Sequence, residues 1–219
     1  YVHEDADHPE PNRLLFYTFL AGGGITFFVL GPQILIGNYL NSVGSSAYSP
    51  IGLFILAGSE ELFKFIAAYI VVGKRKEFDE PVDAMVYMIV AALGFAAVEN
   101  IASIVRGGVP LLIDNESAQI LSLRFIGATL LHTVSSAFVG YYWGIAKARG
   151  ANYAALIIEG IGVATLLHAI FNGFILIYKP EAMVGTLFLV IASFFVLNDF
   201  EELKLICPHN KTPVNPPTI

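Results

Sequence analysis

Long apolar runs separated by short polar segments dominate the sequence from residue 14 onward. Six runs reach the roughly 20 residues that an α-helix needs to cross a bilayer core of about 30 Å. The predicted helices span residues 14–40, 51–72, 83–105, 121–143, 154–178 and 182–198. The segments between them are rich in Gly, Pro, Ser and Asn, which end helices, and the runs lack the alternation of membrane barrel strands. The pattern predicts an all-α polytopic membrane protein, a bundle of about six transmembrane helices.

Composition supports one membrane domain. Of the 219 residues 56% are hydrophobic and 14% are charged, whereas a soluble domain has about 45–50% and about 25%. We predict a polar N-terminal tail at residues 1–13, a membrane domain at 14–198 and a polar C-terminal tail at 199–219. The single cysteine, Cys207, excludes an internal disulfide. Because the sequence begins at Tyr1 with no leader pattern before the first helix, we expect a processed or trimmed product.

The distribution of basic residues predicts the orientation in the membrane. With both termini in the cytoplasm, eight basic residues outside the helices lie inside and two lie outside, which satisfies the positive-inside rule. The eight are Arg13, Lys74, Arg75, Lys76, Lys147, Arg149, Lys204 and Lys211, and the two are Arg106 and Lys179. The net charge of -6 offers no basic footprint for nucleic acid. We expect a multi-pass protein of the cell membrane, with the lipid bilayer as its surroundings and no nucleic-acid partner.

Ionisable residues inside the predicted helices are the strongest functional signal. Each costs roughly 2.5 to 3.5 kcal/mol near the bilayer centre, so such residues are rare and usually functional. They are Glu60, Glu61, Lys64, Glu99, His132 and His168, on four different helices. At 1.5 Å per residue, Glu60, His132 and His168 lie about 14 to 16 Å from the outer helix ends and Glu99 about 9 Å. Four helices therefore direct polar groups to a similar level, which predicts a site.

Each of these residues has a polar neighbour on its own helix. Glu60 and Lys64 are separated by four residues in the favourable order, so we predict that they pair. Glu61, rotated by about 100° from Glu60, must find its partner on another helix. Three further neighbours support the site: Asn100 beside Glu99, Ser136 one turn after His132, and Asn172 one turn after His168.

These motifs resemble those of a known family. The set EExxK at residues 60–64, FxxxEN at 95–100, the mid-helix His132 and HxxxN at 168–172 resembles the PrsW family of intramembrane proteases, distant relatives of the CAAX prenyl proteases and Abi proteins. The CAAX proteases have a histidine where Glu99 stands, so their prenyl-cysteine substrate is not carried over. The resemblance implies cleavage of a peptide bond within or beside the transmembrane segment of a membrane-anchored protein, such as an anti-sigma factor.

The residue chemistry is compatible with that activity. A carboxylate removed from bulk water can serve as a general base on a water molecule, and we assign this role to Glu60, with Glu61 as the carboxylate that orients the site. His168 and Asn172 are candidates to stabilise the oxyanion. Glu99 and His132 would position the water or carry the proton. The supporting residues are Lys64, Asn100 and Ser136.

Metal dependence has two possible answers at this stage. No HExxH motif is present and a Glu–Lys pair supplies charge compensation, so we favour catalysis without a cofactor. The alternative is zinc held by Glu60, Glu99, His132 and His168, a set of N and O ligands that zinc accepts.

A proton-coupled transporter or channel is the rival function, because it also uses carboxylates and histidines inside the membrane. It predicts polar residues spread along a path across the bilayer, whereas these cluster at one level. For the protease we expect water and substrate to enter from outside, with the loop 106–119 as a gate.

Overall fold

The computed structural model describes residues 10–107, 115–150, 153–178 and 183–206, with side chains except those of 106–124 and 183. Six α-helices and no strand occur in these ranges. They are α1 (Asn12–Ser42), α2 (Pro50–Val72), α3 (Asp83–Gly107), α4 (Asn115–Arg149), α5 (Tyr153–Tyr178) and α6 (Met183–Ile206). The predicted all-α fold class is confirmed.

Four helices, α1, α3, α5 and α6, are long and apolar enough to cross a membrane by length and composition. Any stretch of 18 residues in α2 contains Glu60, Glu61 and Lys64, which lowers its hydropathy. At 35 residues, α4 exceeds the length that a bilayer core requires and ends in the basic residues Lys147 and Arg149. The two described helices that do not meet this criterion are α2 and α4, and α2 carries the adjacent Glu60 and Glu61.

Helix α3 lies at the centre of the bundle, where it packs against α1 on one side and α4 on the other. Small residues permit the close approach. A Cβ atom added to Gly94 would lie 1.9 Å from the carbonyl oxygen of Phe19, and one added to Gly140 would lie 2.5 Å from the Cα of Met85. Such contacts between backbones are how membrane helices gain packing energy without a hydrophobic driving force. They place α3 directly against α1 and α4.

Helix α4 is longer at both ends than the predicted span 121–143. Its first turns include residues 115–119, where the sequence has no Gly or Pro, so this part of the predicted gate 106–119 is helical. Residues 108–114 of that gate lie outside the described residues. At the other end Gly144 does not break the helix, because it packs against the carbonyl of Pro81. The helix ends at Gly150, whose φ of 63° requires glycine.

The predicted tails are shorter than expected. Helix α6 continues past residue 198 to Ile206 because Phe200 and Leu203 remain on its buried face. At the N-terminus, Glu10 is buried and accepts a hydrogen bond from the hydroxyl of Tyr87. Part of each region predicted as a polar tail thus packs on the bundle, while residues 1–9 and 207–219 lie outside the described residues.

Basic residues from several segments meet at one end of the bundle. Arg13 lies 3.7 Å from Glu77, in the connection between α2 and α3, and the Lys147 ammonium donates to the carbonyl of Phe78 at 2.7 Å. The starts of α1 and α3 and the end of α4 therefore share one face, as the charge pattern requires. The assignment of this face to the cytoplasm stays a prediction.

Candidate active site

The polar residues of α2, α3, α4 and α5 meet in one buried cluster, as their common depth predicted. The His132 and His168 rings pack edge to face with centroids 5.1 Å apart, and both are 2% exposed. Glu60 and Glu61 reach them from α2, and Glu99 reaches them from α3. We call Glu60, Glu61, Lys64, Glu99, His132 and His168 the core cluster.

Glu61 is the centre of the hydrogen-bond network in the core cluster. It is fully buried, and its carboxylate accepts from the Lys64 ammonium at 2.7 Å and from Nδ1 of His168 at 2.8 Å. The hydroxyls of Ser135 and Ser136 on α4 donate to it at 2.9 and 3.0 Å. With four donors around it, Glu61 is held in one orientation and fixes that of His168 in turn.

The predicted pairing of Glu60 with Lys64 is wrong. Lys64 bonds instead to Glu61, three residues earlier, and contacts Nδ1 of His132 at 3.2 Å. Both spacings place side chains on one helix face, and burial decides between them, because Glu61 faces α4 and α5 where the ammonium also lies. A buried ammonium needs a charge partner in close contact to offset its lost hydration, and Glu61 supplies it at 2.7 Å.

Glu60 is bound differently from its neighbour. Its Oε1 accepts a hydrogen bond from the side-chain amide of Gln33 on α1 at 2.8 Å. Its Oε2 is buried and has no hydrogen-bond partner among the described residues, although Nε2 of His168 lies 3.6 Å away. Such an orphaned acceptor marks a place where a further group belongs.

His132 connects the interior of the core cluster with its edge. Its Nδ1 faces Lys64, an ammonium that has only protons to donate, so this nitrogen is the acceptor and Nε2 carries the proton. Nε2 then donates to Glu99 at 2.6 Å. The Glu99 side chain is 41% exposed, against 3% for His132. Glu99 is therefore the group of the core cluster that is most open to its surroundings.

The predicted supporting residues divide into two groups. Ser136 contacts the core cluster, although through Glu61 and not through His132. Asn100 is buried and donates to the hydroxyl of Thr129 at 3.2 Å, which links α3 to α4 beside the core cluster. Asn172 is half-buried one turn after His168, and it makes no hydrogen bond to the core cluster among the described residues.

Two residues of the site were not predicted from the sequence. Gln33 lies in the first helix, outside every motif, and its only signal is an amide within an apolar run. Ser135 stands next to Ser136, and the sequence alone does not distinguish its contact with Glu61 from the packing of a small residue. The contacts of both are made across helices, at separations of 27 and 74 residues, so no spacing within one helix reveals them.

Part of the core cluster has the composition of a metal site. Ligand atoms of Glu60, His132 and His168 all lie within 4.8 Å of one another. Two imidazoles and a carboxylate are the ligand set of many catalytic zinc sites, which leave a position for water. The orphaned Oε2 of Glu60 belongs to this group, so the residues present fit a divalent cation. Glu99, predicted as a fourth ligand, is not a member of the group.

Comparisons with known proteins place the chain in a family. A family model described as PrsW family intramembrane metalloprotease matches residues 10–198, which include the whole core cluster. The protein named Protease PrsW of Oceanobacillus iheyensis is 25% identical over 193 residues, 87% of this chain and 83% of the relative. Protease PrsW of Halalkalibacterium halodurans is 25% identical over 165 residues, which cover 75% of this chain and 71% of the relative.

A third relative, Protease PrsW of Geobacillus kaustophilus, is 31% identical over 145 residues, which cover 66% of this chain and 59% of the relative. No solved structure matches the chain. The similarity to proteases favours peptide-bond hydrolysis over the rival interpretation as a transporter or channel.

Proposed function

This chain belongs to the PrsW family of intramembrane metalloproteases, and on that premise we propose that the core cluster is its active site. The observation that carries the proposal is the orphaned Oε2 of Glu60, buried between two histidines. It gives the site a place for a reacting water or a cation in the membrane interior, where neither is otherwise stable.

The family description and the ligand set support metal dependence more than the cofactor-free catalysis favoured from the sequence. Glu60, His132 and His168 would hold the cation, for which zinc is our candidate. Binding would displace the Nε2 proton that His132 donates to Glu99. When bound, such an ion activates water and polarises a carbonyl. Glu61 would orient His168 through Nδ1, in the way that carboxylates support histidine ligands of metals.

The remaining residues have roles that follow from their positions. Glu99 touches His132 and is partly exposed, so it would accept the proton of the attacking water and pass it to the leaving amine. Because Nε2 of His168 faces Glu60, His168 is not free to donate to the oxyanion. Our candidate donor is therefore Asn172, one turn later on α5. One such donor contributes about 3 kcal/mol of transition-state stabilisation.

The metal content of the purified protein tests the cation. We expect about one zinc ion per chain by elemental analysis, with activity lost to a chelator and restored by zinc. His168→Ala should remove the ion because the site loses one of three protein ligands. Glu159→Gln, an exposed glutamate on α5, is the matched control and should retain it. Full activity in protein that contains no divalent metal would contradict the assignment.

The substrate that we propose is a membrane-anchored protein with a single span, such as an anti-sigma factor. Both termini of the protease would be cytoplasmic, as the basic residues predict. Glu99 lies 8 residues from the end of α3 and 16 from its start, or about 12 Å and about 24 Å. The shorter route for water to the core cluster is then from outside the cell.

We therefore predict that cleavage occurs in the extracytoplasmic juxtamembrane segment or the outer half of the substrate span. Mass spectrometry of the products locates the cut. In a Cys207→Ser background, Ser46→Cys should react with a membrane-impermeant reagent in whole cells, and Lys74→Cys should react only after lysis. A cut in the cytoplasmic half, or labelling of Lys74→Cys in whole cells, would refute the assignment of sides.

A further inference from the structure

Gln33 holds one oxygen of Glu60 from a helix that contributes nothing else to the core cluster. Its Nε2 donates to Oε1 of Glu60 at 2.8 Å, across the interface of α1 and α2. The side chain is half-buried, and its neighbour Pro32 lies within the continuous helix α1. Gln33 belongs to none of the motifs that define the site.

The contact determines which carboxylate oxygen faces the histidines. The last torsion of a glutamate side chain has a broad energy profile, so a free carboxylate could present either oxygen or both. Because Oε1 is bound to Gln33, Oε2 is the oxygen that faces His168, with its Nε2 3.6 Å away. The hydrogen bond thus selects a single oxygen for the group formed by Glu60, His132 and His168.

The charge of the partner matters as much as its geometry. Glu61 receives an ammonium in addition to three neutral or imidazole donors, and both its oxygens are occupied. Gln33 is an uncharged amide, so it orients Glu60 without neutralising it. Glu60 therefore keeps one open oxygen, Oε2, which a metal ligand or a base requires.

We infer that Gln33 is a positioning residue for proteolysis, which presents Oε2 of Glu60 to the shared space between the two histidines. The inference rests on the proposed function of the core cluster. It also assigns α1 a part in the active site, in addition to α2, α3, α4 and α5.

Gln33→Met tests the inference, because methionine has a similar length and helix propensity but donates no hydrogen bond. We expect kcat on a cleaved single-span membrane substrate to fall about 10- to 100-fold, the range for residues that support metal ligands, with KM within about twofold. In competition with a chromogenic chelator, the variant should lose zinc at a chelator concentration about tenfold lower than the wild type does. Gln33→Glu, which places a second carboxylate against Glu60, should have at least the same effect.

Asn38→Leu, which removes an exposed amide from the same helix, is the matched control and should change neither quantity. If Gln33→Met retains the kcat and the zinc affinity of the wild type, the inference is wrong even though the protease assignment stands. A loss that appears only as a raised KM or as a lower thermal midpoint would make Gln33 a packing residue and would also overturn it. Absence of cleavage and zinc binding in the wild type would instead refute the proposed function.

Discussion

Glu60→Gln is expected to lower proteolysis by about 100-fold or more, at least the loss that follows removal of an outer-shell partner of a metal ligand, while the protein stays folded and inserted. The variant retains the shape of the side chain, and its amide oxygen can still accept from Gln33. Interhelical hydrogen bonds in membranes are worth about 0.6 kcal/mol each, so stability should change little. Cleavage of a single-span substrate in proteoliposomes measures the first effect, and thermal unfolding in detergent measures the second.

The same loss is expected for Glu99→Gln, His132→Ala and His168→Ala, since each removes a member of the core cluster. Glu159→Gln serves as the control for glutamate removal elsewhere in the bundle. If Glu60→Gln or any two of the other three cluster variants remain active, the assignment of the active site fails.

Removal of Glu61 should have a different signature, namely loss of stability as well as of activity. In Glu61→Leu the Lys64 ammonium, fully buried, loses its counter-ion. Breaking a buried ion pair in this way costs about 3 to 5 kcal/mol, whereas replacing both partners by apolar residues is often nearly neutral. The double variant Glu61→Leu/Lys64→Met should therefore unfold at a temperature closer to that of the wild type.

The double variant should remain inactive, because His168 has lost the acceptor at Nδ1 and His132 has lost its contact with Lys64. Thermal unfolding and cleavage assays on the two variants separate stability from positioning. A single variant as stable as the wild type would show that Glu61 is not a needed counter-ion of Lys64. An active double variant would show that Glu61 does not orient the site.

The sequence predicted the helices and the meeting of their polar residues for simple physical reasons. The length of a membrane-spanning helix and the depth of a residue within it both follow from the number of residues along the helix axis. Helix α2 begins one residue before the predicted start, at Pro50, where Ser49 accepts a hydrogen bond from the backbone of Gly52. The ends of α4 and α6 that continue beyond the apolar runs were misplaced, because hydropathy gives no signal for them.

The sequence could not determine which way each side chain turns within the site. Lys64 is equally compatible with Glu60 and Glu61 by spacing, and only the packing of α4 and α5 around Glu61 selects the latter. The contact of Gln33 with Glu60 depends on how α1 lies against α2. Relations of this kind arise between helices, where hydrophobic periodicity carries no information.

Hydrolysis by the core cluster is tested most directly in water enriched in ¹⁸O. Purified protein and a single-span membrane substrate would be combined in liposomes, and the products analysed by mass spectrometry. The account predicts two fragments cut within or beside the span, with one ¹⁸O atom in the new carboxyl group, and neither fragment with Glu60→Gln. Intact substrate after incubation with the wild-type protein, or equal cleavage by Glu60→Gln, would contradict it.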